Sequence, residues 1–165
     1  MDRGQTMQSL KLPPKFKEKS MTTTVPKPLV LLVDDDSDFL WQQKVQLEAA
    51  GFEVVTAVGE SEAKRKLAER LPDLAVIDVM MDNPDTGFTL CYYVRKIAPN
   101  IPLILVTSIV SETGLDFSLA SDNDRAWIPA DALLAKPIRF EQLRGEIDRL
   151  LPGKAEPTAA EVAVL

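Results

Sequence analysis

A chain of 165 residues with 45% hydrophobic content suits one globular domain with a proper core. The net charge of −6 is unevenly spread: residues 1–27 carry six basic residues (Arg3, Lys11, Lys15, Lys17, Lys19, Lys27) against Asp2 and Glu18, leaving −10 on the remainder, which repels nucleic-acid phosphates. With no histidine, Ser-His-Asp and Cys-His catalysis, His-ligated zinc and a phosphohistidine on this chain are excluded, and a single cysteine cannot form an internal disulfide.

No run approaches transmembrane length, and the N-terminus lacks the apolar core of a signal peptide, so a cytoplasmic protein without membrane contact is expected. Residues 1–27, with Pro13, Pro14, Pro26, a Lys-rich middle and a Thr run, read as a flexible basic arm. An acidic partner or a membrane surface is the functional alternative for that arm. Met21 is a candidate natural start.

Leu29 to Val33 is an apolar run without alternation, the mark of a strand buried on both faces of a parallel sheet, and it ends abruptly in Asp34, Asp35, Asp36 and Asp38. Carboxylates crowded at a low-dielectric sheet edge repel one another, and a hard divalent cation with oxygen ligands relieves that repulsion. A solvated turn with Ser37 or Asp36 as N-cap is the competing reading.

Asp38 to Ala50 is predicted helical and closed by Gly51, with Phe39, Leu40, Leu47 and Ala50 on one face and Trp41, Val45 and Ala49 on another. Contact with the C-terminal helix is the expected role of the second face, a partner surface the alternative. Phe52 to Ala57 is a second strand. Glu60 to Leu71 is a charged helix with a thin stripe of Ala63, Leu67 and Ala68, stopped by Pro72.

Leu74 to Val79 is again a buried strand, carrying one acid, Asp78, which is costly there unless paired or functional. A loop with Asn83, Pro84 and Asp85 leads into a helix from Phe88 to Ile97, on which Cys91 reads as buried. Ile101 to Val106 is a fourth strand ending in Thr107 and Ser108. Ile109 to Asp131 is irregular, Ala132 to Ala135 a short fifth strand before Lys136-Pro137, and Arg139 to Leu151 an amphipathic helix with Phe140, Leu143, Ile147, Leu150 and Leu151 on one side. Residues 152–165 read as a disordered tail.

This alternation predicts an α/β fold with a doubly wound parallel sheet. All strands then open on one rim, where Asp34, Asp35, Asp78, Thr107, Ser108 and Lys136 converge.

On Val33-Asp34-Asp35-Asp36, Val76-Ile77-Asp78-Val79-Met80-Met81, Leu105-Val106-Thr107-Ser108 and Leu134-Ala135-Lys136-Pro137, the chain from 28 to 151 resembles the receiver domain of two-component response regulators, the CheY-like type. The resemblance implies a flavodoxin-like strand order 2-1-3-4-5 with helices on both faces. It implies that Asp78 accepts a phosphoryl group from the phosphohistidine of a sensor histidine kinase or phosphotransfer protein, and that Asp34, Asp35, Asp78 and the backbone carbonyl of Met80 hold Mg2+, or Mn2+ in its place. Lys136 and Thr107 would contact the phosphoryl oxygens, and the Lys136-Pro137 peptide would be cis. The expected product is a phosphoacceptor switch, not a turnover enzyme, acting on a downstream protein target without direct nucleic-acid contact. Homodimerisation stays open.

The chain departs from the family pattern in three places. Leu133 stands where an aromatic switch residue is usual. Lys136 follows Thr107 by 29 positions, more than usual, and the extra residues, with Phe117 and Trp127, suggest a distinct partner surface or a tolerated insertion. Pro84 falls later than in the common Met-Pro pattern, and Met80 and Ile109 are apolar where a polar side chain would orient an attacking water, so slow self-dephosphorylation is expected. Only fourteen residues follow Leu151, which suggests a stand-alone receiver. A phosphorylation-independent adaptor on the same fold is the alternative, and a phosphohydrolase acting through an aspartyl-phosphate a third.

Overall fold

The structure, a computed structural model, describes residues 25–108 and 128–153. Within them β1 (Leu29–Asp34), β2 (Glu53–Val58), β3 (Leu74–Asp78), β4 (Leu103–Thr107) and β5 (Ala132–Ala135) form one parallel sheet in the order β2-β1-β3-β4-β5. Interleaved with them are α1 (Ser37–Ala49), α2 (Glu60–Glu69), α3 (Thr86–Ile97) and α4 (Phe140–Leu150). The fold class and strand order are those expected. The basic arm as far as residue 24, the long segment from 109 to 127 with Phe117 and Trp127, and the tail from 154 lie outside the described residues.

Every residue of β1, β3 and β4 is buried, which is why their sequences run apolar without alternation. Successive side chains leave the strand on opposite faces, so the sheet separates two cores. On one face Val30, Leu32, Val76, Ile104 and Val106 pack with Leu40 and Leu47 of α1 and Leu143 and Ile147 of α4. On the other, Leu31, Val33, Ile77 and Leu105 pack with Ala63 and Leu67 of α2 and Leu90, Cys91 and Val94 of α3. Each fully buried Leu or Ile contributes about 1.5–3 kcal/mol relative to exposure.

The element ends have local causes. The Asp36 carboxylate accepts the backbone N–H groups of Asp38 and Phe39 at 3.0 and 3.2 Å, so Asp36, not Ser37, caps α1. Gly51 follows that helix with φ of 99°, a conformation that favours glycine. The strand expected from Ile101 starts at Leu103, because Pro102 has no N–H for the ladder. Helix α3 begins at Thr86, two residues before Phe88, where the Asn83 N–H donates to Thr86 Oγ1 at 3.1 Å and closes a turn.

Two expected packing faces differ. Trp41 and Val45 are 68% and 45% exposed and Ala49 is also exposed, so this stripe does not contact the C-terminal helix. Helix α4 meets α1 on its buried side, where Gln43 joins Leu40 and Leu47. On α2 the stripe narrows to Ala63 and Leu67, with Ala68 exposed. Cys91 is buried as expected, and burial pushes its thiol up to about 12, leaving it un-ionised and unreactive at neutral pH.

At the amino edge of the sheet, acids act as strand caps. Asp73 Oδ2 accepts the Leu29 N–H at 2.8 Å; Asp131 Oδ2 accepts the Leu103 N–H at 2.8 Å and pairs with Arg95 at 2.6 Å.

The carboxyl end of β3 is pinned by a close backbone approach. Gly87 donates its N–H to the Val79 carbonyl at 3.0 Å, and a Cβ at position 87 would lie 2.2 Å from the Asp78 carbonyl oxygen and 2.5 Å from the Val79 Cα. Backbone on both sides cannot yield as a flexible side chain would. Gly87→Ala therefore destabilises the fold by about 1–3 kcal/mol, read as a lower urea midpoint at unchanged slope.

Candidate functional site

Strand register determines which residues meet at the carboxyl rim. Asp34 ends β1 and Asp78 ends β3, with Asp78 opposite Val106 and Thr107 one residue further along β4. Thr107 in turn lies opposite Ala135, and its carbonyl accepts the Lys136 N–H at 2.8 Å. Three central strands and the β5 exit thus deliver their polar ends to one place. The Lys136-Pro137 peptide is cis, as expected.

Asp34, Asp78 and Thr107 are 1%, 3% and 2% exposed, whereas Asp35 is open to solvent. One carboxylate oxygen from each of Asp34, Asp35 and Asp78 lies within 4.8 Å of the others. Asp36 and Asp38, equally acidic in the sequence, stand apart from this group: Asp36 caps α1 and Asp38 occupies its first turn.

The ammonium of Lys136 joins the cluster. Its Nζ is 2.7 Å from Asp34 Oδ2 and 3.6 Å from Asp78 Oδ1, a hydrogen bond to the first and an ion pair with the second. The remaining Asp34 oxygen accepts the Asp36 N–H at 2.9 Å. Asp34 is therefore partnered on both oxygens. Asp78 Oδ1 is buried without a hydrogen bond of its own, an exposed charge in all but solvent access.

The electrostatics follow from that imbalance. Burial, then the negative charge of Asp34, raises Asp78 to about 6, with Asp35 adding to the rise; Lys136 and the Met80 backbone N–H oppose it. Burial also holds Asp34 above the usual carboxylate range, against its bonds to Lys136 and Asp36. For Lys136, burial works against the charge, but the Asp34 hydrogen bond and the charges of Asp34, Asp78 and Asp35 together keep it above the ordinary lysine value.

A hard cation suits this donor set. Three convergent carboxylate oxygens, on acids that include the Asp78 whose buried Oδ1 lacks a hydrogen-bond donor, supply what an oxygen-preferring divalent ion takes up. Asp34, Asp35, Asp78 and Lys136 are thus brought together as expected, with Thr107 on the adjoining strand end. Met80 sits half-buried after β3, its N–H toward the Asp78 carboxylate.

Two features escaped the sequence reading. The nearest partner of Lys136 is Asp34, not Asp78. The ammonium also stands 4.8 Å from the centroid of the Phe39 ring, on the first turn of α1. An aromatic residue five positions after the first acid was the available signal, but it read as a core residue.

Residues 30–148 match the response regulator receiver domain family. The chain belongs to that family. The receiver is 34% identical over 131 residues to the transcriptional regulatory protein PrrA of Mycobacterium bovis, covering 79% of this chain and 53% of that protein. It is 32% identical over 136 residues to a probable transcriptional regulator, ycf27, of Cyanophora paradoxa, covering 80% and 52%. The chain spans about half the length of these relatives. Among solved structures, a CheY-like receiver domain from Methanospirillum hungatei aligns with a TM-score of 0.64 at 27% identity, over 78% of this chain and 97% of that one. The Thermotoga maritima response regulator TrrA, solved in complex with Mg(2+)-BeF, aligns at 0.60 and 25% identity, over 74% and 98%. No helix among the described residues is long and apolar enough to cross a membrane.

The raised Asp78 has a thermodynamic consequence in the metal-free receiver. A carboxyl whose folded value lies above its unfolded one binds its proton more tightly when folded, so its contribution is fully present below about pH 4 and is lost as pH rises through about 6. Asp78→Asn removes the penalty at pH 7.5, a gain on the order of 2 kcal/mol. Thermal unfolding without divalent cations shows a higher Tm for the variant at pH 7.5 and a difference that shrinks toward zero at pH 4.5.

Proposed function

We propose that the receiver is a magnesium-dependent phosphoacceptor switch in which Asp78 takes a phosphoryl group from the phosphohistidine of a sensor histidine kinase or phosphotransfer protein. The observation that carries this reading is the buried Asp78 Oδ1, without a hydrogen bond and 3.6 Å from the Lys136 ammonium, in a cluster with the oxygens of Asp34 and Asp35. A carboxylate attacking a phosphoryl group is an anion meeting an anion, so catalysis consists of positioning and charge compensation.

Asp34, Asp35, Asp78 and the Met80 carbonyl would hold the magnesium ion, which offsets negative charge on the carboxylates and phosphoryl oxygens. Asp78 supplies the attacking oxygen; its bond to phosphorus forms as the phosphorus–nitrogen bond of the donor histidine breaks. Lys136 neutralises charge on the transferred oxygens, and Thr107, at the end of the neighbouring strand, receives them through its hydroxyl. The product adds up to two negative charges where two buried carboxylates already crowd one ammonium, a local change able to bias the surrounding loops. The chain acts as a switch whose output is contact with a downstream protein, in the cytoplasm, and not as a turnover enzyme. Met80 and Ile109, two positions after Asp78 and Thr107 in the sequence, are apolar residue types that do not themselves orient a hydrolytic water, so the phosphoryl group is long-lived.

Incubation with acetyl phosphate and magnesium gives one phosphoryl adduct by intact mass, absent in Asp78→Ala and without divalent cation. An unmodified wild-type protein favours the adaptor reading instead. Once phosphorylated and stripped of donor, the receiver releases phosphate slowly, and Met80→Asn accelerates release by about tenfold, less than the roughly 10²–10⁴-fold of a general base because an amide orients the water without taking its proton.

A further inference from the structure

Among the described residues, the Lys136 ammonium lies 2.7 Å from Asp34, 3.6 Å from Asp78 and, over the face of Phe39, 4.8 Å from its ring centroid. The two carboxylates pull it into the rim. Phe39 is fixed by its place in the first turn of α1, where its own N–H is bound by the Asp36 cap. The lysine side chain is 22% exposed, so solvent reaches it only in part and the ring's quadrupole acts on a partly desolvated cation. Phe39 is itself only half-buried and lines the open groove, about 650 Å³, between α1 and the start of α4. The groove is lined by Gln42, Gln46 and Arg139 and also by Pro137, Ile138 and Phe140, so apolar packing and the ammonium contact both act on the ring. Its contact with the ammonium is the interaction that distinguishes it.

The receiver site needs this lysine held between two demands. The ammonium has to stay within reach of both Asp34 and Asp78, and one left free loses rotamer entropy each time it enters the site. From these observations, and resting on the phosphoacceptor reading above, we infer that Phe39 is a positioning residue for Lys136: its ring face shares the ammonium with Asp34 and keeps it poised beside Asp78. Among the described residues, Phe39 on α1 is the aromatic that stands over the site's cation.

Two measurements decide this. In the metal-free protein, the Lys136 ε-methylene protons, placed over a ring face, resonate upfield of ordinary lysines and return to the ordinary position in Phe39→Leu. An ordinary shift in the wild type overturns the inference, whether or not the protein accepts a phosphoryl group. The second is the initial rate of adduct formation with acetyl phosphate and magnesium. Phe39→Leu lowers it about three- to tenfold, Phe39→Tyr restores it, and stepwise fluorination of a phenylalanine at 39 lowers it in graded fashion at unchanged Tm. A rate that falls in Phe39→Leu but ignores fluorination assigns Phe39 to packing and overturns the inference. Failure of the wild type to form any adduct refutes the phosphoacceptor reading, while the ring shift still decides the pairing.

Discussion

Two carboxylates, Asp34 and Asp78, are withdrawn from water at one sheet edge with a single ammonium, Lys136, between them. Burying one charge against another is tolerable when hydrogen bonds satisfy both partners. Asp34 meets that condition, through Lys136 and the Asp36 N–H. Asp78 does not, and its proton affinity rises accordingly. The site is therefore held in a state of incomplete compensation by the rest of the fold, whose apolar strands and close Gly87 contact leave the β3 end no room to retreat.

The same residue type does different work at the two edges of the sheet. Asp73 and Asp131, at the amino edge, accept strand N–H groups, and Asp131 also pairs with Arg95. Asp34 and Asp78, at the carboxyl edge, are both buried and share the Lys136 ammonium. In a parallel sheet the amino edge offers free N–H donors and the carboxyl edge offers carbonyls, so an acid is quenched at one and left wanting a cation at the other.

Most of this organisation was legible in the chain because it rests on patterns of period and punctuation. Buried-strand runs from Leu29, Leu74 and Ile101 announced a parallel sheet, and acids, a hydroxyl and a lysine placed at the ends of the strands announced the rim. Pairings across the rim were less accessible. That Lys136 bonds Asp34 in preference to Asp78 depends on sub-ångström placement across 102 positions of chain, and the Phe39 contact depends on a rotamer. Trp41 and Val45 misled for a different reason: an apolar stripe at helical spacing implies burial, but neither residue faces the layer that α4 provides.

The sheet divides the interior into two compartments, α1 and α4 on one side, α2 and α3 on the other. Asp78 closes the strand that feeds α3, and Lys136 stands on the path into α4. These two side chains, 3.6 Å apart, are thus rooted in segments that diverge to opposite flanks of the molecule. Whatever alters the spacing of that pair has a covalent exit to each flank, and neither helical layer need communicate with the other through the wall between them.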